Sequence, residues 1–313
     1  MKRHTTLRIV IGFCALLLSA CAGADIVKNT LPPDSVAGMN ELIKGNDRYQ
    51  RGCYPQALEH FFKAFERFAA SDHIAGSAMS MNNIGNVYRA VNDLDSALLF
   101  YEEAYISFMD LKNNDGALQS LSNKAAALID INRLEDVELE LARAEKIAAG
   151  NRKPFGPLLR NQGVLLLKKG DYPRAQILLD TALKNTDPLN LSEFAAVNFA
   201  LGTLMLKTDR PDEAIRRFET ALSADQSSSY YRGTADDLAA IGSVHYSRGN
   251  AELSVGFFKR AVKIYALIRN KPKVDATRGL LVEASQKAGM NPELTEFFVE
   301  RWARGEALEI PCR

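Results

Sequence analysis

An all-α solenoid of stacked antiparallel helix pairs is the fold class this sequence predicts. Three features predict it. Beyond residue 37 apolar residues recur with helical period, no long β-branched alternation appears, and one frame of small and aromatic residues returns six times. Prolines fall at turns, as in Tyr54-Pro55, Tyr172-Pro173 and Arg210-Pro211.

The chain opens on a leader. Lys2, Arg3 and Arg8 give a basic start, Ile9 to Leu18 an apolar run, and Ser19 to Gly23 a stretch of small residues around Cys21. Basic, apolar and small segments in that order are the layout of a secretory signal over residues 1–20. The run is shorter than the roughly 20 apolar residues a membrane span needs. Residues 21–37, with Pro32-Pro33 and no periodicity, read as an extended tether.

The repeating frame fills residues 38–269. Gly45, Gly52, Tyr54, Ala57, Phe61 and Ala64 set it. Gly85, Tyr88, Ala97, Tyr101 and Ala104 return it, then Gly163, Gly170, Tyr172, Ala175, Leu179 and Ala182. Gly202, Ala214, Phe218 and Ala221 follow, then Gly242, Gly249, Phe258 and Ala261; Ala125, Leu134, Val137, Leu141 and Ala144 form a weaker copy. The lead positions 45, 85, 125, 163, 202 and 242 are 40, 40, 38, 39 and 40 residues apart. Each copy is two amphipathic stretches about a turn. Small residues sit where helices must approach and aromatics fill the gaps between them; no pair buries its apolar face alone, so the pairs stack. A degenerate seventh pair with Leu281, Gly289, Leu294 and Phe298 spans 270–313, and Trp302 reads as a residue capping the last core face.

These residues resemble the tetratricopeptide repeat (TPR) in a long form of about 40 residues, and the resemblance implies a right-handed superhelix. The usual spacing is 34, and Arg48 stands beside Tyr49 where the first copy would carry an aromatic. Leu18-Ser19-Ala20-Cys21 resembles the lipobox of bacterial lipoproteins. That resemblance implies lipidation (palmitate) of Cys21 and a periplasm-facing anchor in the outer membrane, since Ala22 is not the retaining aspartate. A plain secreted protein is the alternative.

Composition argues against several functions. Of 39 Lys and Arg, three lie in the leader, leaving 36 against 38 Asp and Glu, so no strong field favours nucleic acid. There is no GxSxG, HExxH, GxGxxG or P-loop, and His60, His73 and His245 have no partner at metal-ligand spacing. The expectation is a non-catalytic protein without cofactor or metal. Cys53 and Cys312 lie about six stacked pairs apart, and a disulfide needs Cα atoms within about 7 Å. An internal bridge is therefore not expected unless the superhelix closes on itself; a free thiol or an intermolecular bond is the alternative.

In TPR proteins the first helix of each pair lines a concave groove. Carried over by position, the lining is Leu42, Asn46 and Tyr49, then Asn82, Asn86 and Arg89, then Ser122, then Arg160, then Phe199 and Thr203, then Tyr246. Asparagine both donates and accepts, which suits an extended peptide backbone. Asn83, Asn123 and Asn161 recur one place along and read as helix-to-helix bonds. The implied function is an envelope adaptor holding a protein or peptide partner, with pilus or secretion machinery favoured. The alternatives are peptidoglycan enzymes, polysaccharide export, or glycan binding.

Overall fold

The computed structural model describes residues 32–150, 154–307 and 312. The leader, Cys21 and most of the expected tether lie outside the described residues. Within them the chain forms fourteen α-helices. These are α1 (Pro33–Gln50), α2 (Tyr54–Ala70), α3 (Ile74–Ala90), α4 (Leu94–Asp110), α5 (Asn114–Asp130), α6 (Leu134–Ala148) and α7 (Gly156–Lys169). They continue as α8 (Tyr172–Asn185), α9 (Leu191–Lys207), α10 (Pro211–Ser227), α11 (Tyr231–Ser247), α12 (Ala251–Leu267), α13 (Lys271–Ala288) and α14 (Glu293–Ala303).

Helix α1 begins at Pro33, within the stretch that the sequence suggested as tether. Pro33 does not extend the chain; it occupies the first helical position, where its missing N–H costs nothing and its fixed φ is already helical.

The long spacing has a simple origin. From α2 to α5 every helix has 17 residues, and three-residue turns join them, so two helices and two turns make 40. The middle residue of every three-residue turn is left-handed: Gly52, Asp72, Asn92, Lys112, Asn132, Asp209, Ser229, Gly249 and Arg269; Gly170 and Gly289 are left-handed as the first residue after α7 and α13. The residue after it closes the preceding helix by a long backward bond, as in His73 N to Phe68 O (2.8 Å) and Asp93 N to Tyr88 O (2.9 Å). That same residue often starts the next helix. Asp93, Asn113, Asp171 and Asn270 each accept from the amide three residues on. Three residues thus end one helix and cap its successor, which keeps the pairs in step.

Packing follows the frame. A Cβ on Gly85 would sit 2.7 Å from the Tyr101 ring, and one on Gly242 2.8 Å from Phe258. The second helix of each pair therefore lays a large side chain on the bare backbone of the first. Phe61, Tyr101, Leu179, Phe218 and Phe258 are all fully buried in this way. At the far end Phe298 and Trp302 lie 5.4 Å apart, and Trp302 packs on the core formed by Phe258, Tyr265 and Leu281.

The superhelix curls until its ends meet. Cys53, in the first turn, is bonded to Cys312 with Cα atoms 5.1 Å apart. This corrects the expectation of a free or intermolecular thiol. Counting stacked pairs treats the solenoid as a straight rod, whereas its curvature returns α11 to α13 to the edge of the first pair.

Candidate functional site

The concave wall is built by the odd-numbered helices, whose inner residues come from every second element. Asn46 is exposed on α1. Asn86 accepts from the Tyr101 hydroxyl (2.9 Å), which fixes its amide against the second helix. Arg89 donates to Asp130 of α5 (2.7 Å). Burial works against its charge, but Asp130 outweighs it and the guanidinium stays charged. Asn82 belongs to a chain of amides: Gln119 donates to Asn123 (3.0 Å), and Asn123 donates to Asn82 (3.1 Å).

Further round, Arg160 donates to Glu193 (2.9 Å), and both are largely buried. Thr203 returns its hydroxyl to the Phe199 carbonyl (3.0 Å), while Phe199 packs on Phe218 at 5.2 Å. Tyr246 donates to Glu283 (3.3 Å) and carries the Lys287 ammonium 4.1 Å above its ring. The charged groups of this wall mostly meet a partner across a helix boundary. What it offers a ligand is neutral: amides, hydroxyls and aromatic faces.

Three of the expected lining residues are displaced. Leu42 and Ser122 are buried and present no surface, because the helix rotation that points Asn46 inward turns them into the core. Asn82 is nearly buried and engaged by Asn123. Asn161, read as a helix-to-helix residue, donates to the Ser122 carbonyl on the neighbouring helix (2.7 Å).

The seam where the ends meet shows what sequence reasoning missed. Tyr49, expected on the open wall, instead stacks on Tyr230 at 6.2 Å with 15° between the rings, and it tilts against Tyr54 at 5.8 Å. Gly52, at φ 73°, presses its bare Cα on the Ile268 side chain, which a Cβ would meet at 2.8 Å. Arg232 donates to the Ala90 carbonyl at the end of α3 (3.3 Å) and lies 3.8 Å from Asp236. Asp236 also accepts from Tyr265 (2.6 Å) and Lys273 (2.8 Å). Gln56 donates to the Cys312 carbonyl (2.9 Å). The one signal for this cluster was Tyr230-Tyr231-Arg232, a bulky run where other repeats begin their first helix with smaller residues.

Beside the seam lies a departure from the frame. Where α2 and α4 place Phe68 and Phe108 over Gly76 and Gly116, α10 places Asp225 over Gly233. Asp225 and Asp237 are only 4% and 1% exposed, and each has an oxygen without a hydrogen-bond partner. Burial pushes both carboxyls well above the usual range; the charges of Asp225 and Asp236 push Asp237 further.

Among the described residues no group of three or more His, Cys, Asp and Glu is arranged to hold a metal ion. Nor is any helix there long and apolar enough to cross a membrane.

Comparison with known proteins agrees with this architecture of curved helix pairs. A tetratricopeptide-repeat family model matches residues 36–105 and 193–266. Among solved structures, the chain is similar to the Rap conjugation gene regulator of plasmid pLS20 in complex with the Phr* peptide. The TM-score is 0.56 at 16% identity, over 93% of this chain and 83% of that one. A Rap protein complexed with competence and sporulation factor gives 0.55 at 13%, over 80% and 75%. A thermophilic TPR protein of Thermus thermophilus gives 0.46 at 20%, over 60% and 91%. No curated protein matches the chain in sequence. At such identities the likeness is one of fold. The chain is a helical-repeat solenoid. Specifically, residues 36–105 and 193–266 of it are tetratricopeptide repeats.

Proposed function

We propose that this protein is a non-catalytic adaptor that holds an extended peptide segment of a partner protein against the concave wall of its first three repeats. The observation that carries the reading is the chemistry of that wall. Asn46, Asn86 and the linked amides of Gln119 and Asn123 offer donors and acceptors at once, and Arg89 is neutralised by Asp130. Such a surface matches the peptide backbone better than a strongly charged ligand. Of the two Rap structures of similar fold, one holds the Phr* peptide and the other competence and sporulation factor, which supports a bound partner here.

The adaptor acts outside the cytosol. The disulfide between Cys53 and Cys312 fits an oxidising compartment, as does the leader with its lipobox-like Leu18-Ser19-Ala20-Cys21. We place it on the periplasmic side of the outer membrane, anchored through lipid on Cys21, where it serves assembly of an envelope machine of pilus or secretion type. A photo-reactive residue at Asn86, with a control at Glu219 on α10, tests the groove. One protein trapped in intact cells from position 86 alone is the expected result; identical products from both positions would remove the groove from the account. Cys21→Ser should release the protein from the membrane fraction, and full retention would contradict the lipid anchor.

A further inference from the structure

Each odd-numbered helix packs on the next one in the wall: α1 on α3, α3 on α5, α5 on α7, α7 on α9 and α9 on α11. The wall then returns on itself, because α11 meets the first helices again. The seam that joins them is two layers deep. In the inner layer Tyr230, just before α11, stacks on Tyr49 of α1, and Arg232 of α11 donates to the Ala90 carbonyl at the end of α3 (3.3 Å). In the outer layer Gly52 presses on Ile268 after α12, Cys53 is bonded to Cys312, and Gln56 of α2 donates to the Cys312 carbonyl (2.9 Å). A groove is open along its length. A wall that closes on itself is open only at its two ends.

The width of the enclosed space follows from helix packing. Helices side by side lie about 8–10 Å apart, so a ring of six, α1 to α11, puts their axes about 10 Å from its centre. A helix with its side chains is about 10–12 Å across, which leaves a bore about 10 Å wide. One extended chain with side chains on both faces is also about 10 Å thick. A loop that enters and returns needs two chains abreast, and a folded domain needs far more. The wall inside is matched to a single chain in chemistry as well: Asn46, Asn86 and Thr203 are neutral, and Arg89 and Arg160 are paired with Asp130 and Glu193.

We infer that the closed wall is a sleeve: it takes a free, disordered end of a partner chain, entering lengthwise, and excludes a segment that is folded on both sides. This rests on the peptide reading of the wall and adds which part of a partner fits. An internal segment reaches the wall only if the seam opens, and the disulfide between Cys53 and Cys312 holds the seam shut. The closure therefore selects partners by topology, with no contact to any particular side chain of theirs.

The test needs no partner. With Cys14→Ser and Cys21→Ser the seam disulfide stays intact, and Thr203→Cys puts one free thiol on the wall helix α9. Three maleimides are compared: a small dye, the free end of a Gly-Ser peptide of about 20 residues, and a folded protein of about 100 residues with a radius of gyration of about 13 Å. The dye and the peptide end should label Thr203→Cys at similar rates. The folded carrier should be about tenfold slower or more, since it must wait for the seam to open. Asn46→Cys on α1 should give the same order, while Glu219→Cys, exposed on α10, should react alike with all three. Removing the disulfide with Cys53→Ser and Cys312→Ser should speed the carrier several-fold at Thr203→Cys. Fast carrier labelling with the disulfide intact would overturn the inference. So would a peptide end that fails to react, or a carrier rate that the two serines leave unchanged. These outcomes are separate from the trapping experiment at Asn86, which tests the peptide reading itself.

Discussion

The seam and the fourth helix pair are two ways of joining the same kind of helix. At the seam, residues from 142 to 259 apart in the chain meet through a disulfide, a tyrosine stack, a glycine pressed on Ile268 and a largely buried arginine. The fourth pair, α7 and α8, has helices of only 14 residues. It shares apolar cores with both neighbours, Leu158 and Leu165 on one side and Leu179 and Ala182 on the other, and polar side chains add to them: Gln162 to Glu145, Arg160 to Glu193, Arg210 to Gln176. Closing the 259-residue loop between the cysteines costs about 1–2 kcal/mol more entropy than closing one 40-residue repeat, because the cost grows with the logarithm of length. A few specific contacts are enough to hold the ends together. Between neighbours, apolar packing does that work, and the polar links trim it.

Breaking the seam should have the largest effect. Cys312→Ser should lower stability by about 2–5 kcal/mol, seen as a lower midpoint in urea. Arg232→Ala strands the Ala90 carbonyl and frees Asp236, and should lower stability by about 1–3 kcal/mol. Measured together, these two changes should not add, because both act on the closure.

The acid pair beside the seam gives a pH signature. Asp225 and Asp237 hold protons more tightly folded than unfolded, where an ordinary aspartate titrates near about 4. Their contribution is complete below that range and is lost as pH rises through about 7 and then about 9. Stability should therefore decline from acid toward alkaline pH. Asp237→Asn keeps the shape and a hydrogen bond while removing one charge, so it should flatten the decline and raise stability at pH 8 by about 1 kcal/mol. An unchanged slope in that variant would separate the pH response from this pair.

The smallest effect belongs to the fourth pair. Arg160→Ala should lower stability by about 1 kcal/mol and should add to Cys312→Ser, since the sites are distant and share no partner. Strong coupling between them would show that the fourth pair senses closure.

The fold was legible because each turn of the solenoid repeats the same local requirements. Gly85 beneath Tyr101 and Gly242 beneath Phe258 are visible at fixed spacing, and so are Asp93 and Asn113 as helix starts. The direction of each residue on its helix was legible only in part: Asn46 and Asn86 could be placed, while Leu42 and Ser122 turned inward by a fraction of a turn. The closure was not legible. It depends on the small rotation between successive pairs, summed over six of them, and no single residue encodes that sum. Only afterwards do Tyr49, Tyr230, Arg232 and the two cysteines read as one cluster.

Peptide mapping of the monomer without reduction tests the closed superhelix most directly. Trypsin should release residues 52–63 and 305–313 as one disulfide-linked species that reduction separates. Finding both thiols free, or the bond only between two copies, would contradict the closure and return Tyr49 to the open wall.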